Sequence, residues 1–262
     1  MTNYQEQDAD HRPHVAIVTN FTPPTAENPS LLTFEEVETF LHEFGHALHG
    51  MLSRARFASL SGTNVFWDFV ELPSQFMENF AAEPDFLLTF AKHYKTGEPL
   101  SDETVQLIRE SRQFHAAWAC IRQLSFGYLD MSFYMRREPL LPAEDLFRYE
   151  ADVWHSLQLL PRLSEACMSV QFGHIMSGGY AAGYYSYKWA EVLDADAFAA
   201  FQEEGIFNPE TAKRFRHCIL EKGATAPPEQ LYRNFRGHAP TSEALLRRDG
   251  ICVASSPSLH QN

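Results

Sequence analysis

The sequence has few basic residues and no long hydrophobic segment. Its 21 lysines and arginines stand against 34 aspartates and glutamates, which gives a formal net charge of −13 over 262 residues. Such a charge repels nucleic acid and anionic membranes, so neither is expected as a partner. No apolar run approaches the roughly 20 residues of a membrane span, and the polar start does not resemble a signal peptide. The composition therefore predicts a soluble, cytoplasmic protein.

Cysteine is also scarce, and the four cysteines lie far apart in the sequence. Cys120, Cys167, Cys218 and Cys252 form no Cys-x-x-Cys pair, so neither a disulfide scaffold nor a cysteine zinc site is indicated. We expect reduced, structural thiols. Histidine, in contrast, is abundant, with twelve residues.

Hydrophobic periodicity predicts a mainly α-helical chain with a small β element. Residues 1–12 are interpreted as a polar lead-in, and the β-branched run at residues 14–19 predicts a strand. A helix over residues 34–52 is expected to begin at a capping box formed by Thr33 and Glu36. A loop with a short strand at 57–60 follows. The further predicted helices cover residues 69–81, 84–93, 102–135, 143–159, 181–204, 209–221 and 228–235, and no linker divides residues 13–262 into two domains.

A metal-binding pattern lies inside the first predicted helix. His42 and His46 are four residues apart, so both imidazoles face one side of the helix and can reach one ion, with Glu43 beside it. Zn²⁺ favours such ligands, and a catalytic site takes three of them while it leaves a fourth position to water. The five-residue pattern arises by chance in on the order of 1% of chains this long. Its position in mid-helix with apolar flanks favours a zinc site over core histidines.

Three further residues are candidates for a role near the ion. Glu71, 25 residues beyond His46 at the start of the next predicted helix, is the best third ligand. Glu78, one heptad later, is either a hydrogen-bonding partner of a ligand histidine or an alternative ligand. His49 also lies on the His42 face, but a site built on it leaves Glu43 without a role, and no histidine follows at position 52. We interpret His49 as a neighbour of the ligands or as a surface residue.

A second candidate region is rich in glycine and tyrosine. Three tyrosines follow the spacing i, i+4, i+7, so a helix opened by two glycines would present three phenols in a row. A phenol is a neutral donor near pH 7 and suits a developing oxyanion. The alternative is an aromatic core stripe, but the glycine-rich approach and a nearby histidine favour function. The residues concerned are His174, Gly178, Gly179, Tyr180, Tyr184 and Tyr187.

These stretches together resemble the thimet oligopeptidase family of zinc metallopeptidases, and within it the bacterial peptidyl-dipeptidase branch. The resemblance covers almost the whole chain and is carried by residues 12–50, 61–75, 178–198, 235–237 and 245–250. It implies a helical, zincin-like (HExxH gluzincin) catalytic fold. It further implies one zinc ion bound by His42, His46 and Glu71, with Glu43 activating water. By the same resemblance, the segment from His174 to Tyr187 forms a substrate-binding loop and helix whose tyrosines stabilise the tetrahedral intermediate.

The resemblance also implies a reaction and a partner. The reaction is zinc-dependent hydrolysis of peptide bonds in short peptides, by internal cleavage or by release of C-terminal dipeptides, which the branch favours. Family members are more than twice as long, and their N-terminal helical region forms the opposite wall of a substrate channel. We therefore expect this chain to be the C-terminal part of a catalytic domain. The alternative is a zinc-binding fragment that is inactive without a separate N-terminal lobe.

Overall fold

The computed structural model describes residues 4–6, 9–140, 145–157, 160, 161, 163 and 165–251, so Cys252 and parts of the predicted lead-in and of the predicted helix 143–159 lie outside the described residues. The described chain is mainly helical, which confirms the predicted fold class at that level. Its strands are β1 (Tyr4–Glu6) and β2 (Ala9–His11). The helices are α1 (Phe34–Leu52), α2 (Trp67–Val70), α3 (Leu72–Glu78), α4 (Pro84–Phe90), α5 (Asp102–Gln113), α6 (Ala116–Tyr134), α7 (Leu146–Trp154), α8 (Gly173–Met176), α9 (Tyr185–Glu204), α10 (Pro209–Phe215), α11 (Pro228–Arg236) and α12 (Glu243–Arg248). None of these helices is both long and apolar enough to cross a membrane.

The β structure differs from the prediction. The strand expected at residues 14–19 is wrong, because the backbone groups of this segment make no hydrogen bond to any other described residue. Instead, β1 and β2 pair antiparallel within the predicted lead-in, with Tyr4 opposite His11. The strand expected at 57–60 is also wrong, and a short 3₁₀ helix covers Ala58–Leu60. A β-branched run becomes a strand only where another strand supplies hydrogen-bonding partners.

Helix α1 has the predicted bounds because its first turn is capped. The Thr33 hydroxyl accepts a hydrogen bond from the Glu36 amide at 3.2 Å, and the Glu36 carboxylate accepts one from the Thr33 amide at 2.8 Å. This reciprocal capping box satisfies two amides that the helix itself leaves without acceptors.

Two long predicted helices are interrupted. The helix predicted over 69–81 is divided into α2, α3 and a 3₁₀ turn at Asn79–Ala82, with Glu71 at the junction of α2 and α3. Pro73 explains the restart, because proline lacks an amide hydrogen and is favoured in the first turn of a helix. The helix predicted over 102–135 ends at Gln113 and restarts at Ala116, since His115 has a left-handed φ of 58°.

Two hydrophobic clusters hold the described helices together. The larger one is rich in phenylalanines from α3, α9, α10 and α11, which pack mostly edge to face; Phe76 and Phe215 are stacked, with ring centroids 4.2 Å apart. The smaller one lies between α6 and α8 and contains Phe126, Leu129, Phe172 and Ile175. The first cluster supports the helices with the metal-binding pattern, and the second supports the segment that carries the tyrosines.

Helices α1 and α3 approach closely at Gly45, and we expect Gly45→Ala to destabilise the fold. A Cβ there would lie 2.3 Å from the Pro73 carbonyl oxygen and 2.5 Å from the Ser74 Cα. Overpacking costs about 1–3 kcal/mol and occasionally more, and contacts with backbone atoms place this substitution at the upper end. Urea denaturation measures the change. Gly50→Ala on the same helix is the control, because its Cβ would meet Val15 Cγ2 at an ordinary 3.5 Å. Equal unfolding midpoints for the two variants would contradict this account of the packing.

Candidate metal centre

Three predicted ligands converge where α1 crosses the start of α3. Their ligand atoms all lie within 4.8 Å of one another. The Oε2 atom of Glu71 is 3.4 Å from His42 Nε2 and 3.1 Å from His46 Nε2. Glu71 is 4% exposed, and its position at the junction of two helices directs its carboxylate toward α1.

The spacing of these atoms fits a tetrahedral metal ion. Ligands about 2.0–2.1 Å from a zinc ion in tetrahedral geometry are roughly 3.3 Å apart, which agrees with the two distances from Glu71. Two imidazole nitrogens and one carboxylate are also a usual donor set of catalytic zinc sites. The donor set and these two distances therefore fit one zinc ion bound by the three side chains.

The Glu71 carboxylate is held in place by two hydroxyl groups. Ser74 donates a hydrogen bond to Oε2 at 2.8 Å, and Tyr180 donates one to Oε1 at 3.2 Å. Burial opposes ionisation, but the hydrogen bond and positive charge of His46, followed by Ser74 and the charge of His42, lower the pKa of Glu71 to about 2. Glu71 is therefore an anion at neutral pH, as a metal ligand must be.

Glu78 contacts the other nitrogen of His42. Its Oε1 atom is 2.6 Å from His42 Nδ1, which leaves Nε2 directed toward Glu71. Burial lowers the pKa of His42, but the hydrogen bond and charge of Glu78, together with the charge of Glu71, raise it above its usual value overall. Of the two roles predicted for Glu78, the geometry favours the partner of a ligand over an alternative ligand.

His49 is not a surface residue, and that part of its prediction is wrong. Its side chain is fully buried, and neither ring nitrogen has a hydrogen-bond partner among the described residues. Burial, and secondarily the charge of His46, lowers the pKa of His49 to about 4, so the ring is neutral near pH 7.

Glu43 faces a cleft beside the ligand cluster. This cleft has a volume of about 350 Å³ and is bounded by α1, by residues 14–18 and by residues 61–63. Glu43 and His46 both line it. The cleft therefore brings Glu43, which is not one of the clustered ligands, next to a segment whose backbone groups have no partner among the described residues.

The predicted aromatic residues form one cluster next to Glu71. The ring of His174, on α8, lies 5.7–6.2 Å from the rings of Tyr180, Tyr184 and Tyr187. Tyr180 and Tyr187 stack at 5.0 Å, and Tyr184 is 5.3 Å from Tyr187. The hydroxyl of Tyr180 reaches Glu71, whereas that of Tyr184 donates to Gln123 Oε1 on α6 at 3.3 Å. Tyr180 thus connects the tyrosine cluster to the candidate metal centre.

The helix predicted over 181–204 begins later, at Tyr185, so the tyrosines do not form one helical row. Gly178 and Gly179 instead close a turn after α8. A Cβ on Gly178 would lie 2.9 Å from the His174 carbonyl oxygen, and Gly179 has a φ of 86°. Ala182 then takes a left-handed φ of 55°. Tyr180 is brought to Tyr187 by this turn rather than by helical periodicity.

Asp130 was not among the predicted site residues. It lies on α6, is fully buried, and accepts hydrogen bonds from the amides of Ala182 and Tyr184 at 2.8 and 2.9 Å. An aspartate inside the largely apolar stretch of residues 126–135 is unusual, and it is the one sequence signal that points to this residue.

Comparison with known proteins identifies the relatives of this chain. The model of peptidase family M3 matches residues 1–251. Organellar oligopeptidase A, chloroplastic/mitochondrial, of Arabidopsis thaliana is 45% identical over 93% of this chain and 31% of its own length. Oligopeptidase A of Escherichia coli is 43% identical over 92% of this chain and 35% of its own length. Dipeptidyl carboxypeptidase of the same organism is 39% identical over 97% of this chain and 37% of its own length.

The matches cover only part of each relative and include both oligopeptidases and a dipeptidyl carboxypeptidase. The chain spans about a third of the length of the curated relatives it matches. Its identity with the Escherichia coli oligopeptidase exceeds that with the dipeptidyl carboxypeptidase of the same bacterium. The identities therefore do not favour the peptidyl-dipeptidase branch over the oligopeptidases.

Proposed function

Because the chain belongs to peptidase family M3, we propose that it hydrolyses peptide bonds in short peptides with one zinc ion held by His42, His46 and Glu71. The observation that carries this proposal is the convergence of these three side chains, whose ligand atoms lie within 4.8 Å of one another. A zincin-like catalytic fold, with the two histidines on one helix and the carboxylate on the next, is part of the proposal.

The chain's own residues supply the proton transfers and the oxyanion donors. A zinc ion in this centre would polarise the scissile carbonyl group and lower the pKa of a water molecule. Glu43, from the wall of the adjoining cleft, accepts the proton of the attacking water and returns it to the leaving amine. Tyr187, Tyr184 and His174 donate hydrogen bonds to the developing oxyanion. Burial, and then the hydrogen bond with Tyr180, raises the pKa of Tyr187, so this phenol keeps its proton in neutral solution.

The peptide lies in the cleft lined by Glu43 and His46. Residues 14–18 form the opposite side of that cleft, and their amides and carbonyls have no partner within the described chain. An extended peptide can pair with such a segment through main-chain hydrogen bonds, which give affinity with little dependence on sequence. Gly178, Gly179 and Tyr180 approach the peptide from the side of α8.

Mass spectrometry of a peptide with a blocked N-terminus tests the function and the cleavage mode together. The peptide, about eight residues long, is incubated with the zinc-loaded chain and with the chain in chelator. We expect zinc-dependent fragments. A free C-terminal dipeptide indicates peptidyl-dipeptidase action, and two longer fragments indicate internal cleavage. A folded, zinc-loaded chain that leaves the peptide intact would contradict autonomous activity.

The second candidate function is that of a zinc-binding part that acts only with a separate N-terminal lobe. An apolar groove of about 510 Å³ on α6 and α9 favours it, and Tyr128 and Met135 in that groove are 57% and 72% exposed. A groove lined by exposed apolar side chains offers a surface on which another part of the protein can pack. Cleavage that appears only after the addition of the part of Escherichia coli oligopeptidase A outside the matched region would support this candidate. Full activity of a monomer would contradict it.

The cytoplasmic location and the absence of nucleic-acid and membrane partners stay predictions.

We expect Glu78→Gln to weaken zinc binding by about 10- to 100-fold. Glutamine keeps the shape of the side chain but removes the charge that orients His42 and raises its pKa. Competition with a chromophoric chelator measures the change. Glu83→Gln is the matched control, because Glu83 pairs with Gln202 and does not contact the ligands. Equal zinc affinities for the two variants would show that Glu78 is dispensable for binding.

A further inference from the structure

The buried carboxylate of Asp130 has an unusual set of partners. Its Oδ1 and Oδ2 atoms accept hydrogen bonds from the amides of Ala182 and Tyr184, at 2.8 and 2.9 Å. The residue is 0% exposed, and it forms no salt bridge with a cation of the described chain. A buried polar group that lacks hydrogen-bond partners is destabilising, so Asp130 and these two amides require each other.

This pair of hydrogen bonds fixes a strained piece of backbone. Ala182 has a φ of 55°, a left-handed conformation that is strained for a residue with a Cβ. Each oxygen of Asp130 holds one amide, so the turn from Ala182 to Tyr184 is fixed at two points. Helix α9 begins immediately afterwards, at Tyr185, and Tyr187 lies in its first turn.

Asp130 belongs to a row of α6 residues that contact the same segment. Gln123 accepts a hydrogen bond from the Tyr184 hydroxyl at 3.3 Å, and Tyr134 donates one to the Ile175 carbonyl at 2.7 Å. Positions 123, 130 and 134 are separated by seven and four residues, so they share one face of α6. This face therefore holds the segment that carries His174 and the tyrosines, with Asp130 at its centre.

We propose that Asp130 is a positioning residue that sets Tyr184 and Tyr187 for catalysis by holding the backbone of the Ala182–Tyr184 turn. This proposal rests on the proposed function, because Asp130 can affect catalysis only if Tyr184 and Tyr187 take part in peptide hydrolysis. Asp130 itself is fully buried, and it acts through the two amides.

The test compares the full chain with its Asp130→Asn variant. Asparagine has one acceptor oxygen, so one of the two amides loses its partner. We expect hydrogen exchange at the Ala182 and Tyr184 amides to become at least about 10-fold faster, because loss of a hydrogen bond makes local opening of the turn easier. Misplaced oxyanion donors are expected to lower kcat by about 100-fold. The KM and the affinity for zinc are expected to stay close to those of the unchanged chain.

Two matched variants separate positioning from a general loss of structure. Asp152→Asn removes an exposed carboxylate from α7, and Asp194→Asn removes one on α9 that is as buried as Asp130 but pairs with Arg248. Neither substitution should selectively change the hydrogen-exchange rates of the Ala182–Tyr184 turn. If Asp130→Asn does not fold, the measurements are made with Ala182→Gly added, because glycine reaches the left-handed conformation without strain.

The outcomes decide the two proposals separately. Unchanged exchange at Ala182 and Tyr184 would overturn the positioning role, as would an equal fall in kcat for Asp130→Asn and Asp194→Asn. Faster exchange with unchanged kcat in an active chain would overturn it too. If the wild-type chain cleaves no peptide, its autonomous peptidase activity is contradicted. In that case hydrogen exchange still tests the hold of Asp130 on the turn. Equal exchange rates at Ala182 and Tyr184 in Asp130→Asn and in the wild-type chain would reject it, and selectively faster exchange in the variant would support it.

Discussion

Replacement of Glu43 by glutamine is expected to remove peptide cleavage and leave the zinc site intact. A positioned general base contributes typically 10²- to 10⁴-fold, so kcat should fall by about that factor. Glutamine cannot accept the proton of the attacking water, although it matches glutamate in size. Zinc affinity should change little, because Glu43 is not a member of the ligand cluster. Peptide cleavage followed by mass spectrometry gives kcat, and chelator competition gives the affinity.

The position of Glu43 makes this separation of roles possible. It follows His42 directly on α1, so around the helix axis its side chain is rotated by about 100° from His42 and by about 60° from His46. That rotation turns it toward the cleft that His46 also lines. Glu35→Gln is the matched control, since Glu35 is an exposed carboxylate in the first turn of the same helix. Turnover that survives in Glu43→Gln, or is lost equally in Glu35→Gln, would contradict the role of Glu43.

The parts of the site that follow from local structure could be predicted from the sequence. The capping box set the start of α1, and the spacing of His42 and His46 placed both rings on one face of that helix. Glu71 required a further assumption, that the next helix packs back onto the first. Gly45 makes this approach possible, because it leaves room for the backbone of Pro73. A glycine inside a strong helix is therefore a sequence signal for a close helix contact.

The parts that depend on tertiary partners could not be predicted. The run at residues 14–19 has the composition of a strand but finds no strand beside it in the described chain. The spacing of Tyr180, Tyr184 and Tyr187 suggests one helix, yet a left-handed residue at Ala182 delays its start. What stabilises that residue is Asp130, 52 positions away in sequence. Periodicity within a segment does not report a contact over that distance.

Replacement of His46 by alanine is expected to abolish zinc binding at micromolar concentrations of zinc. Loss of a residue that merely supports a ligand costs about 10- to 100-fold, so loss of a ligand should cost more. Thermal unfolding provides the readout. Zinc at about 1,000 times its Kd stabilises a folded chain by about 4 kcal/mol, which raises the Tm by roughly 10 °C for a chain of this size. We expect that rise in the unchanged chain and in His238→Ala, an exposed histidine far along the sequence, but not in His46→Ala.

The same substitution changes acid stability without any metal. Since the pKa of Glu71 is about 2, below its unfolded value of 4.5, Glu71 contributes stability that is present above pH 4.5 and is lost as the pH falls toward 2. His46 is the main group that lowers this pKa. In His46→Ala the pKa of Glu71 should rise, so less stability is lost across that window than in the unchanged chain. Urea midpoints of the two metal-free proteins at pH 5 and pH 3 measure the difference. An equal fall of the urea midpoint in the two proteins would mean that His46 and Glu71 do not face each other in solution. The proposed zinc centre would then lose its geometric basis.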